Sequence, residues 1–205
     1  MLTLDNQSMK IKVGLLASVI LFGNISNASA APIYTFPIAG CTVKYGKNHH
    51  DYPATDIIAK KGCAFVAPIA GVIDEVVLVD TWSGKTNKGA DRGGLSVSII
   101  GDDGNRYYGS HLSKIEINVV PGLRVSTGDK LGEVGATGSA KGTSPHLHFG
   151  ISYPTEKGIW WVRRGVGLET SGKTTPWKYL QAWQAGNDLK PVVKVPATIP
   201  AEPKK

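Results

Sequence analysis

After its first thirty residues, this chain lacks any apolar run long enough to cross a bilayer, so an integral membrane anchor in residues 31–205 is not expected. It has few long stretches of helical periodicity, which argues against a helix bundle. No basic helix and no ladder of stacking aromatics accompany its formal charge of +7, so nucleic acid is not the expected partner. No internal repeat is visible. Cysteine is almost missing, with only Cys41 and Cys63. Histidine is scarce too, at five residues, and those five are not scattered.

The first thirty residues have a different character. Lys10 and Lys12 precede an uncharged run from Val13 to Phe22, and Ala28-Ser29-Ala30 follows as a small-residue exit. That order is the pattern of a secretory signal peptide, with cleavage expected near Ala30. No cysteine follows the cut directly, so a lipid anchor is not expected. The mature chain would keep 175 residues and a charge of +6, since Asp5, Lys10 and Lys12 leave with the signal. A basic exported protein is drawn to polyanions such as wall polymers. Export also shapes the reading of the cysteine pair. In an oxidising compartment Cys41 and Cys63 are most simply a disulfide closing a loop of about twenty residues. The rival is Cys63 as a nucleophile beside a histidine, which the presence of a partner cysteine disfavours.

Twenty-five glycines punctuate short strand-like runs. Ala64 to Val79 alternates and then runs apolar, with Gly71 as a break. Leu95 to Ile100 is followed by a hairpin signal, Gly101-Asp102-Asp103-Gly104, leading into Arg106-Tyr107-Tyr108. Val125, Leu131–Val134 and His146–Ser152 continue the pattern. The expected fold is therefore all-β, a small antiparallel sandwich or barrel-like domain. The domain should span 31–189, with its core in 41–153. A short helix is expected over 176–186, where Trp177, Leu180 and Trp183 share a face and Gly186 stops it. Residues 190–205, rich in Pro, Lys and Val, read as a disordered tail. The polar connection Asp80–Gly94 is either a binding loop or a floppy hairpin tip.

The histidines fall into three segments beside strand-like sequence. In Pro145-His146-Leu147-His148-Phe149-Gly150, residues two apart on a strand share a face, so His146 and His148 would point together. In His49-His50-Asp51-Tyr52-Pro53-Ala54-Thr55-Asp56-Ile57, a histidine and Asp56 can supply one nitrogen and one oxygen. With one nitrogen from the His146/His148 pair this makes a two-histidine, one-carboxylate set. Zinc takes three such ligands and leaves a fourth position for water where a site is catalytic. His111, in Tyr107-Tyr108-Gly109-Ser110-His111-Leu112-Ser113, is the natural acid/base beside it. Asp51 reads as turn capping.

In that order, these three segments resemble the lysostaphin/LytM-type zinc endopeptidases of peptidoglycan, from about Asn48 to Ile151. The glycine-punctuated stretch from Pro121 to Gly138 is similar to that family as well. The resemblance implies a small antiparallel β fold with an open groove and one zinc ion. It implies Asp56 and His148 as the second and third metal ligands, and His111 and His146 as catalytic histidines that do not bind metal. The first ligand would be His50 or His49, with His50 preferred because it lies nearer the Asp56 strand. Tyr108 is left outside the catalytic set, and Tyr52, Trp82, Trp160 and Trp161 are candidates for groove lining. The implied activity is hydrolysis of amide bonds in the stems or crosslinks of bacterial peptidoglycan by a secreted or periplasmic monomer. The alternative on the same fold is a non-catalytic wall-binding protein or amidase activator, which would be expected to lose ligands.

Overall fold

The computed structural model describes residues 33–47, 49, 53–156, 159–163 and 176–202. The expected signal segment 1–30 and the candidate ligand His50 lie outside them.

Ten strands form one curled antiparallel sheet. They are β1 (Ile38–Ala39), β2 (Val43–Tyr45), β3 (Ala54–Ala59), β4 (Ala64–Val66), β5 (Gly71–Val77), β6 (Leu95–Gly101), β7 (Arg106–Ile115), β8 (Arg124–Val125), β9 (Lys130–Val134) and β10 (His146–Ser152). The main path runs β1-β4-β9-β7-β10-β3-β2, with β6 also beside β7, and β5 joining β6 to β8. The all-β expectation holds. The apolar run from Ala64 to Val79 divides into β4 and β5, and its end, Leu78 and Val79, is exposed.

Period-two alternation builds the core. On β3, β7 and β10, Ile57, Tyr107, Leu147, Phe149 and Ile151 turn inward, each at most 1% exposed. Burial of each such side chain contributes about 1.5–3 kcal/mol. Gly109 is the small member of this layer. A Cβ there would meet the Phe65 ring at 2.5 Å, so the aromatic ring fills the space over the strand. Across the core lies α2 (Trp177–Gln184), after a single turn α1 (Trp160–Arg163). The buried face of α2 is Tyr179, Leu180 and Trp183. Trp183 stacks on Tyr34 with ring centroids 5.3 Å apart and meets Phe149 edge-on at 6.4 Å. The helix thus braces β10 from behind, on the side away from its histidines.

Cys41 and Cys63 form a disulfide, with Cα atoms 6.0 Å apart. It ties the approach to β2 to the turn before β4 and closes a loop of 22 residues, worth about 3 kcal/mol. With Cys63 bonded, a nucleophilic cysteine is excluded. Beyond α2 the described residues 187–202 form no further helix. The Pro191 carbonyl accepts a hydrogen bond from Asn105 Nδ2 at 3.2 Å, and that of Pro200 accepts one from Trp161 Nε1 at 2.8 Å.

Candidate metal centre

The central strands β3, β10 and β7 align Asp56, His148 and Ser110 in one row, since His148 pairs in register with both of the others. Residues directly opposite in antiparallel strands share a face. This face is the one opposite Ile57, Leu147 and Phe149, and it opens into a cleft of about 850 Å³. His146, Ile58 and Tyr108 lie on the same face and line that cleft.

Alternation alone would send His111 to the core, because its neighbour Ser110 faces the cleft. A β-bulge reverses this. Leu95 pairs with Leu112 while Val97 pairs with Gly109, so Ser110 and His111 together oppose Ser96. His111 takes the left-handed conformation at φ +64°, which is costly for a residue with a Cβ. Its ring then joins the cleft, with its centroid 4.9 Å from that of His146 and 5.8 Å from that of His148.

His148 Nδ1 lies 2.8 Å from Asp56 Oδ1, and His49 Nε2 lies 3.8 Å from Asp56 Oδ2. One donor atom from each of these three residues falls within 4.8 Å of the others. Ligand atoms of a tetrahedral zinc site stand about 3.3 Å apart, so small side-chain adjustments close this set around one ion. Two nitrogens and one carboxylate oxygen suit zinc and leave a position open. Burial works against the charge on Asp56. The hydrogen bond from His148 and the charges of His148, His146 and His49 outweigh it and hold the carboxyl well below the usual range. Asp56 is therefore ionised and able to act as a ligand.

The other two histidines have a common arrangement. His111 Nδ1 is 2.8 Å from the Thr137 carbonyl, and His146 Nδ1 is 2.8 Å from the Ser144 carbonyl. A carbonyl only accepts, so in each ring Nδ1 is the donor and Nε2 is the nitrogen left for the cleft. Burial, followed by the charges of His148 and His146, pushes the His111 pKa down to about 3. His111 is thus neutral at ordinary pH, with its Nε2 lone pair free.

The connection Asp80–Gly94 forms a wall of the cleft through Trp82, Gly84, Asn87, Arg92 and Gly93. It is fastened rather than loose. Asp80 accepts bonds from the Gly138 amide at 3.1 Å and from Lys141 Nζ at 2.9 Å. Gly93 O accepts from the His111 amide, and Arg92 O from the Ser139 amide, both at 2.9 Å. Gly94 and Gly138 let these backbones touch, since a Cβ on Gly94 would lie 2.4 Å from the Gly138 nitrogen.

Of the residues singled out from sequence, Asp56, His111, His146 and His148 meet in this cleft, together with Trp82. His49 stands there as well, whereas His50 and Tyr52 are outside the described residues. Trp160 lies instead over Gly89 at a small neighbouring hollow. Tyr108, Ser110 and Arg92 are among the cleft residues that the sequence did not mark as functional. Tyr108, set aside from the catalytic set, has its ring 6.4 Å from that of His148. Ser110 was passed over as a small residue, and its buried hydroxyl has no hydrogen-bond partner. Arg92 carried no signal beyond its place in a polar loop.

Residues 50–159 match the family model for peptidase family M23. Solved structures similar to the chain include a Pseudomonas aeruginosa protein assigned to peptidase M23, at 27% identity and TM-score 0.46 over 60% of this chain and 46% of that one. The catalytic domain of the antimicrobial peptidase lysostaphin from Staphylococcus simulans is 25% identical at TM-score 0.46, over 69% of this chain and 92% of the domain. Lysostaphin itself is 24% identical at TM-score 0.50, over 83% of this chain and 62% of its own. The chain therefore spans less than half of the Pseudomonas protein and nearly all of the lysostaphin catalytic domain. No curated protein matches it.

Proposed function

The chain belongs to peptidase family M23, a family of metallopeptidases, and from that premise we propose that it is a zinc-dependent endopeptidase of bacterial peptidoglycan. The observation that carries this reading is the three-donor cluster of His49, Asp56 and His148 in a cleft that also holds His111 and His146. On this reading the ligands are His49, Asp56 and His148. His49 is taken as the first ligand because its nitrogen belongs to the cluster, while His50, preferred from sequence, lies outside the described residues.

Bound there, zinc would supply Lewis acidity, which acidifies water and polarises an amide carbonyl. The rest falls to the chain's own side chains. Thr137 and Ser144 hold His111 and His146 by Nδ1, so that Nε2 is the nitrogen each offers to the cleft. One of the two takes the proton of the attacking water and returns it to the leaving amine. The other holds the attacking water in place through a hydrogen bond at its Nε2. The open cleft admits a polymer strand rather than a small enclosed molecule, which suits a wall peptide. Export through residues 1–30, cleavage near Ala30 and action as a monomer outside the cytoplasmic membrane complete the proposal.

The test is release of soluble muropeptides from purified peptidoglycan by the mature protein. New amino termini should appear, vanish with a chelator and return with zinc. Asp56→Asn should lower the rate at least a hundredfold while leaving the fold intact by circular dichroism. Zinc binding without release from any of several wall chemotypes would instead favour a wall-binding protein or amidase activator.

A further inference from the structure

The cleft contains a charge that the metal centre does not use. Apart from histidines, its charged lining residues among those described are Asp56 and Arg92, and Asp56 already faces His49 and His148. Arg92 is half-buried, and its Nε donates to Asn87 Oδ1 at 3.0 Å. No carboxylate among the described residues pairs with its guanidinium. The same Asn87 oxygen accepts from Trp82 Nε1 at 3.3 Å, so one acceptor fixes an indole and a guanidinium on the same wall. Asn87 reaches this position at φ +45°, a region asparagine tolerates better than most residues.

The backbone that carries Arg92 is tied to the catalytic face. Its carbonyl accepts from both the amide and the hydroxyl of Ser139, at 2.9 and 3.2 Å. The next residue, Gly93, holds the His111 amide. The guanidinium therefore hangs one residue from the partner of a catalytic histidine, with its Nε edge already committed. A planar fork of N–H donors, held in place and with no carboxylate partner among the described residues, is suited to receive a carboxylate.

We propose that Arg92 is a specificity-determining residue that receives a free carboxylate carried by the substrate beside the scissile amide. The inference rests on the peptidase reading above and narrows its substrate class. A crosslink through a diamino diacid carries such a carboxylate on its side chain, and a stem peptide carries one at its terminus. A glycine bridge, neutral along its length, offers none. Trp82, held by the same asparagine, supplies an apolar surface for the adjoining methylene chain.

The test compares kcat/KM on crosslinked stem peptides of one length. One has all carboxylates free, one has the diamino-acid carboxylate amidated, and one has the terminal carboxylate amidated. A single amidation should lower the wild-type value about ten- to a hundredfold, the scale of a lost charge-assisted hydrogen bond. Which amidation does so identifies the source of the carboxylate. Arg92→Gln should suffer the same loss on the free peptide and ignore that amidation, while Arg92→Lys should recover part of the rate. A loop disturbed by the substitution would lower all three substrates alike, and that result overturns the proposal. Equal wild-type rates on all three peptides, or preference for a glycine-bridged peptide, would also overturn it while leaving the peptidase reading intact. Failure to cut any peptide would overturn both.

Discussion

His111 occupies a conformation that costs a residue with a Cβ about 1–2 kcal/mol, at φ +64° on a bulge of β7. Packing alone gives no reason to retain it, because glycine or asparagine would hold the same backbone at less cost. What the strain achieves is direction. It turns the ring out of the core and into the cleft, where Thr137 sets its tautomer. Function and stability should therefore separate at this position. His111→Asn should keep or slightly raise the melting temperature and lower peptide cleavage about a hundred- to ten-thousandfold. His111→Ala should be about 1 kcal/mol less stable than His111→Gly by chemical denaturation. A variant at this position that retained full cleavage would remove His111 from the mechanism.

At the scale of elements, the local rules were legible and the irregular ones were not. Period two sufficed to place His146 and His148 on one face with Leu147 and Phe149 behind them, because strand alternation needs no knowledge of neighbours. The same rule misdirects His111, since a bulge is set by pairing with β6 and leaves no mark in the residues themselves. The choice between His49 and His50 depends on the turn entering β3, which spacing does not resolve. The hairpin between β6 and β7 was read correctly as a turn, yet its second role was hidden. Asp103 Oδ2 accepts from Tyr107 at 2.6 Å, from Asn105 at 2.7 Å and from Tyr34 at 3.0 Å, so it binds the N-terminal segment to the sheet. Burial, then the Asp103 charge, raises the pKa of both tyrosines above the ordinary 10.0. The sign follows from proton counting. Above pH 10 the unfolded chain releases these protons while the folded chain keeps them, so stability falls as pH rises. Tyr107, 1% exposed, should contribute a slope of about 1.4 kcal/mol per pH unit. Tyr107→Phe should be less stable than wild type by about 1 kcal/mol at neutral pH. That gap should close and reverse above pH 10 in denaturant titrations. A gap constant from pH 8 to 11 would show that the hydroxyl ionises as freely folded as unfolded.

For the molecule as a whole, the proposed ligands come from different parts of one fold. His49 precedes β3, Asp56 lies within it, and His148 is on β10, which α2 braces from behind. In the unfolded chain these residues are separated by 92 positions between Asp56 and His148 alone, so no comparable site persists there. An ion that binds only the folded state stabilises it by mass action, by about 2.7 kcal/mol at a free concentration one hundred times its dissociation constant. For the 175 residues of the proposed mature chain that corresponds to a rise in melting temperature of about 5–11 °C. The disulfide leaves no thiol to compete for the metal, so the rise should be the same with or without oxidant. Calorimetric scans with chelator and with added zinc measure it directly. Asp56→Asn nearly preserves shape but weakens the central ligand, so it should melt close to metal-free wild type and show little response to zinc. A wild-type protein whose melting temperature is the same in chelator and in saturating zinc would lack the folded-state site, whatever its cleft resembles. A zinc response that survives Asp56→Asn would place the ion away from the row formed by β3, β10 and β7.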